Sequence, residues 1–164
     1  MKSAMICGSF DPVTRGHADL VRRAAALFDR VYVVLLHNGD KGGLFPWEDR
    51  LDFLRAAFAA CPNVAVEGSR ETAVACARRL GVTCILRGVR GAADLAYEAD
   101  MAALNRTAGG PETLFLPTDP ALSFISSHAV REFLACGLPA EALLSPEVAG
   151  EVQARYDALK RSKE

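Results

Sequence analysis

The stretch Ala4-Met5-Ile6-Cys7-Gly8-Ser9-Phe10-Asp11-Pro12-Val13-Thr14-Arg15-Gly16-His17 decides how the rest of this chain is read. A short apolar run stops at a glycine and a turn-rich segment follows. Beyond it Leu20, Ala24, Leu27 and Phe28 fall on one helical face. The same unit recurs along the chain. Val31 to Leu36, Val64 to Val66, Val82 to Leu86 and Thr113 to Leu116 predict four more strands, and Leu51, Leu54 and Phe58 mark a second helical face. Pro46 suits a first helical turn. Ser145-Pro146-Glu147 predicts an N-cap, a first-turn proline and an acid against the helix dipole, opening a C-terminal helix over about 147–160 with Val148, Val152, Tyr156 and Leu159 in register. Strand and helix in alternation predict right-handed βαβ crossovers. The expected fold class is therefore α/β: a doubly wound parallel five-stranded sheet with helices on both faces. In such sheets ligands bind at the carboxyl ends of the strands, where strand order reverses.

Composition agrees with that frame. The chain has 164 residues, 51% of them apolar and 24% charged, which fits one folded domain spanning 1–164 and excludes a disordered chain. Nineteen basic residues against twenty acidic ones give a net charge of -1, so no global field attracts nucleic acid or an anionic membrane. No apolar run reaches the length of a membrane span, and the N-terminal segment meets Gly8 too soon for a signal peptide; a cytoplasmic location is the expectation. Cys7, Cys61, Cys76, Cys84 and Cys136 show neither a disulfide framework nor metal-ligand spacing, and read as small buried hydrophobes.

The segments after each predicted strand carry the chemistry. After the first, Gly8 and Gly16 allow close backbone approach, and His17 falls in the first turn of a helix whose free N–H groups suit phosphate. After the second, Asn38-Gly39-Asp40-Lys41-Gly42-Gly43 brings an ammonium to the same sheet edge. After the fourth, Leu86-Arg87-Gly88-Val89-Arg90-Gly91 offers two guanidinium forks, each able to grip phosphate oxygens. Arg78 and Arg79, by contrast, fit a solvated helix face. Ser123-Phe124-Ile125-Ser126-Ser127-His128-Ala129-Val130-Arg131 adds hydroxyls and backbone donors at a further helix start. Singly, each element has a plain structural reading, as a cap, a loop or a wet surface. Together, four anion-ready elements at one sheet edge point to a long, highly charged phosphate ligand.

The pairing of G-S-F-D-P-V-T-R-G-H with S-F-I-S-S-x-x-V-R resembles the nucleotidyltransferase superfamily of [HT]-x-G-H enzymes. Thr14 at the first motif position, Lys41, and R-G-V-R-G-A-A-D-L-A-Y-E from Arg87 to Glu98 resemble its bacterial phosphopantetheine adenylyltransferase branch. The resemblance implies a Rossmann-like fold and adenylyl transfer from ATP to 4'-phosphopantetheine, giving dephospho-coenzyme A and pyrophosphate. It also implies Mg2+, carried by the ATP phosphates and water, with any protein ligand left open. A homohexamer and product-type inhibition by coenzyme A are further implications.

By matching position, the resemblance makes His17, Lys41 and Arg90 catalytic. Ser9, Lys41 and Arg87 would hold the attacking phosphate, and Thr72, Ala73 and Asn105 would face the pantetheine arm. His17 would contact the α-phosphate, and Arg90, Ser126 and Ser127 the outer phosphates. Phe10, Gly88, Val89, Glu98, Leu122, Ser123, Phe124, Ile125 and His128 would border the nucleotide. Ser9 stands where relatives commonly have Thr and keeps the hydroxyl. Ser69 to Ala73 departs from the apolar stretch usual there, and Leu122 and His128 replace an aromatic and a small hydroxyl residue. His37 and His128 are expected to be partly exposed and non-catalytic. Two other readings stand beside this one: a sister transferase acting on nicotinate mononucleotide or moving a cytidylyl group, and a silent nucleotide-binding module.

Overall fold

The computed structural model describes residues 1–37 and 43–162. Five parallel strands run β1 (Ser3–Gly8), β2 (Arg30–Leu36), β3 (Val64–Ser69), β4 (Cys84–Val89) and β5 (Glu112–Pro117), side by side in the order β3-β2-β1-β4-β5. The helices are α1 (Arg15–Leu27), α2 (Trp47–Phe58), α3 (Ala73–Leu80), α4 (Ala92–Thr107), α5 (Ser127–Ala135) and α6 (Ala149–Arg161). The chain winds outward from β1 through β2 to β3, crosses back by α3 to β4, and ends at β5, so strand order reverses between β1 and β4. Those two strands pair only at Ala4 with Cys84 and Met5 with Ile85. Their carboxyl-terminal halves separate beyond that point, leaving a crevice where the doubly wound topology predicts a ligand.

Alternation along the strands sorts the core. Ala4, Ile6, Val31, Val33, Leu35, Cys84 and Leu86 face a large apolar cluster that also takes Ala18, Val21 and Ala24 of α1, Phe53, Leu54 and Phe58 of α2, and residues of α5 and α6. On the opposite face Met5, Cys7, Val34 and Ile85 meet Cys76 and Ala77 of α3 in a much smaller cluster. The α4 helix contributes little apolar packing here, its one buried residue being Glu98.

Several sequence expectations are corrected. β4 starts at Cys84 rather than Val82 and continues to Val89, so Arg87 and Gly88 belong to the strand instead of following it. The buried face of α1 is Ala18, Val21 and Ala24, while Leu27, at the last position of the helix, is 65% exposed. The C-terminal helix begins at Ala149, because Ser145 to Val148 close a turn through the Val148 N–H donating to the Ser145 carbonyl. Of the cysteines, Cys7, Cys76 and Cys84 are buried, but Cys136, at the end of α5, is exposed. Among the described residues no helix is long and apolar enough to cross a membrane.

Candidate active site

Thr14 opens the first wall of the crevice. Its side-chain oxygen accepts from the His17 N–H at 3.3 Å, and its own N–H donates to His17 Nδ1 at 3.1 Å, forming a reciprocal cap in which His takes the place of the usual Glu or Gln. Because Nδ1 accepts, the ring proton lies on Nε2. Burial first, and the Arg87 and Arg90 charges next, push the His17 pKa down to about 4. The imidazole is thus neutral at pH 7, a fixed donor. The Phe10 ring packs edge-on against it at 5.0 Å.

The second wall is β4 and the start of α4. Arg87 lies in the strand, and its fork is engaged: Nε and Nη2 donate to the two Glu98 carboxylate oxygens at 2.7 Å each, while Nη1 donates to the Cys7 carbonyl at 2.7 Å. Those bonds to Glu98 hold the Arg87 pKa above its usual value, and burial lifts the Cys7 thiol. Arg90 is held more loosely. Its N–H donates to Asp94 at 3.0 Å, with side-chain contacts at 3.4 Å. Burial pulls the Asp94 pKa upward, but the bonds from Arg90 prevail and leave it lowered. Each arginine predicted to grip phosphate therefore carries its own counter-charge from α4.

Two adjoining clefts lie between these walls. A larger one, about 350 Å3, is lined by Ser9, Phe10, His17, Gly88, Arg90 and, from the α5 side, Ile125, Ser126 and Ser127. A smaller one, about 240 Å3, extends past Ala73 and Asn105 along Tyr97, Met101 and Thr113. Cys7, Gly8, Ser9, Arg87 and Glu98 line both. Ser126 caps α5 through the Ala129 N–H, and the Ser127 hydroxyl donates to the Pro12 carbonyl at 2.8 Å, which ties α5 to the first wall.

Not every predicted residue joins this arrangement. Thr72 is the N-cap of α3, and neither it nor Val89, Leu122, Ser123, Phe124 or His128 lines either cleft. Phe124 is 69% exposed, and His37 and His128 are exposed too. Lys41 lies outside the described residues. Arg78 and Arg79 are exposed helix residues as expected, Arg79 pairing with Glu67 and Glu71. Sequence reasoning missed Asp94, although its i,i+4 spacing from Arg90 is the usual cue for a helical ion pair, and Thr118, which lines the larger cleft. It also missed Asp11, a buried carboxylate inside the quoted motif. Among the described residues no group of three or more His, Cys, Asp or Glu side chains is placed to hold a metal ion.

A crevice at the strand-order switch, a neutral His donor in the first helical turn and paired arginines opposite define a nucleotidyltransferase. The comparisons agree. The family model described as "Cytidylyltransferase-like" matches residues 5–133. A solved structure described as a nicotinate-nucleotide adenylyltransferase from Vibrio parahaemolyticus superposes with a TM-score of 0.72 over 95% of this chain and 96% of that one. At 16% identity that likeness concerns the fold alone. A phosphopantetheine adenylyltransferase of a Nocardioides species is 43% identical over 96% of this chain and 99% of its own length. The protein of that name from Streptomyces coelicolor is 40% identical over 90% and 93%, and that from Streptococcus gordonii 46% over 82% and 83%. The chain belongs to the phosphopantetheine adenylyltransferase family.

Proposed function

We propose that this chain transfers the adenylyl group of ATP to 4'-phosphopantetheine, giving dephospho-coenzyme A and pyrophosphate, as a step of coenzyme A biosynthesis. One observation carries the reading: two clefts of unequal character share a floor at Ser9 and Arg87. The larger has the donors a triphosphate requires, in Arg90, Ser126, Ser127 and His17. The smaller, beyond the shared floor, is lined mainly by apolar side chains such as Leu36, Ile85 and Met101, with Asn105 along it, and suits an extended amide-containing arm. The phosphate of that arm then falls at the junction, within reach of the α-phosphorus.

The chemistry needs few groups. The attacking phosphate oxygen is an anion at neutral pH, so no base is required; it forms the new bond to the α-phosphorus as the bond to the pyrophosphate oxygen breaks. Catalysis is positioning plus stabilisation of charge in an in-line displacement. Neutral His17 donates from Nε2 to the α-phosphate oxygens, and Arg90, Ser126 and Ser127 hold the departing pyrophosphate. Ser9 and Arg87 hold the acceptor phosphate, with Lys41 as a further cation. Gly88 and Glu98 border the nucleotide, as does Ile125, while Ala73 and Asn105 border the arm. A divalent cation, Mg2+, would be held by the ATP phosphates and water and would neutralise charge on the departing pyrophosphate.

The unit is one domain over 1–164, cytoplasmic, and inhibited by coenzyme A through the acceptor cleft. It assembles with further copies of itself, as the homohexamer that the resemblance implies; association is supported by the exposed Leu95 and Leu104 of α4 and Leu114 of β5. The test of function is pyrophosphate release with ATP and Mg2+ when 4'-phosphopantetheine or nicotinate mononucleotide is offered separately. Release with the first alone is expected; release with the second alone overturns the reading in favour of a sister transferase.

A further inference from the structure

The turn that carries Ser9 is held in a costly shape. Phe10 has φ +41, a left-handed conformation that a bulky aromatic rarely adopts, and such strain persists only where the surroundings over-determine it. Here they do. Asp11 is 5% exposed, and its two carboxylate oxygens accept from the Leu44 N–H at 2.7 Å and the Phe45 N–H at 2.9 Å. Its backbone carbonyl accepts from Arg131 of α5 at 2.8 Å, and the same guanidinium lies 3.9 Å from the carboxylate. Arg50 of α2 donates to the Ser9 carbonyl at 3.2 Å. Gly43 leaves room for the carboxylate: a Cβ there would stand 2.9 Å from Asp11 Oδ2.

We infer that Asp11 is a positioning residue for adenylyl transfer, the node through which the Leu44–Phe45 segment ahead of α2 and Arg131 of α5 fix the Ser9–Phe10 turn and set the Phe10 ring against His17. The inference rests on the function proposed above. Asp11 is set back from the reacting atoms and lines neither cleft; it acts through Ser9, Phe10 and His17. Its two acceptor oxygens are both used, and this makes the demand specific. Asn is nearly the same size but replaces one acceptor with a donor, which then opposes a backbone N–H. Arg131 contacts the same node from α5, so the two side chains belong to one device rather than to two independent ones.

The test compares wild type, Asp11→Asn, Arg131→Gln and the double variant. Asp11→Asn is expected to lower kcat about 100-fold, the size of loss that follows a misplacement of about 1 Å, while KM for ATP changes less than about threefold. Arg131→Gln is expected to lose about tenfold, and the double variant little more than Asp11→Asn alone, because coupled residues do not add. NMR titration of His17 gives a readout independent of turnover: held near 4 in the wild type, it rises in Asp11→Asn as the Phe10 ring leaves it and burial is partly lost, while the Arg87 and Arg90 charges stay. A kcat that falls only with the unfolded fraction, or single effects that simply add, overturns the inference. Should wild type fail to use 4'-phosphopantetheine, the functional reading fails instead, and the His17 titration alone decides: unmoved in Asp11→Asn, it overturns the role of Asp11.

Discussion

The two walls of the crevice are built on different principles. On the β1–α1 wall His17 itself is fixed by neutral hydrogen bonds: Thr14 and His17 cap each other, and the imidazole is stripped of its proton by burial and by two nearby arginines. The β4–α4 wall holds positive charge, and each arginine is met by a carboxylate of α4. A group preset as a donor stabilises charge that develops during reaction without having to move. Groups held by counter-charges keep their geometry before substrate arrives, yet a phosphate must share them with the carboxylate. On the proposed function, His17 of the first wall would act chiefly on turnover and the arginines of the second chiefly on binding.

The contrast can be broken most sharply at His17. His17→Ala is expected to lower kcat by roughly 100- to 1,000-fold with KM for ATP within about threefold, read from initial rates of pyrophosphate release. An equal rise in KM would place His17 among the binding groups and erase the distinction between the walls. The same residue fixes a pH signature. With a folded pKa near 4 against an unfolded value of 6.5, the unfolded chain binds the extra proton between those values, so His17 erodes stability as pH falls from 6.5 toward 4 and contributes nothing further above it. Turnover should be insensitive to His17 ionisation from about pH 6 upward and fall as pH approaches 4, checked by a kcat profile on protein shown to be folded at each pH.

Smaller effects sharpen the second wall. Glu98→Gln removes the charge that orients Arg87 while keeping one acceptor, and is expected to raise KM for 4'-phosphopantetheine about tenfold with kcat little changed, within the 1–3 kcal/mol of a partly buried charged hydrogen bond. Thr14→Ala deletes the α1 cap and should cost about 1 kcal/mol, a fall in Tm of about 2–4 °C by calorimetry. Asp94→Asn should change KM for ATP only about twofold, since its contacts with Arg90 are long and that arginine is exposed.

The fold and the site differ in how far they could be read from residues. All five strands were legible as short apolar runs bounded by glycine or polar residues, β2 best of all because Val31 to Leu36 is rich in β-branched residues and mostly buried, β5 least because it has no buried residue. The end of β4 was less so. Arg87 and Gly88 look like a loop by composition, and only the partner register with Phe115 and Leu116 shows that they extend the strand. The buried face of α1, Ala18, Val21 and Ala24, has helical spacing but is made of small residues, so the larger Leu20 and Leu27 mark a neighbouring face instead. Within the site, the anion-ready loops were visible as glycine, serine and arginine patterns. Their counter-charges were not: Glu98 meets Arg87 eleven residues away, and Asp11 meets Arg131 across the fold. Leu122 and Phe124 show the converse, matching a motif by position yet lying outside both clefts.

In the proposed reaction the phosphate of 4'-phosphopantetheine, held where the two clefts meet, supplies the oxygen that bonds to the α-phosphorus. Labelling the three non-bridging oxygens of that phosphate with 18O and analysing both products by mass spectrometry tests it. The account predicts dephospho-coenzyme A that retains all the label, with unlabelled pyrophosphate. Absence of that product, or 18O in the pyrophosphate, would contradict it.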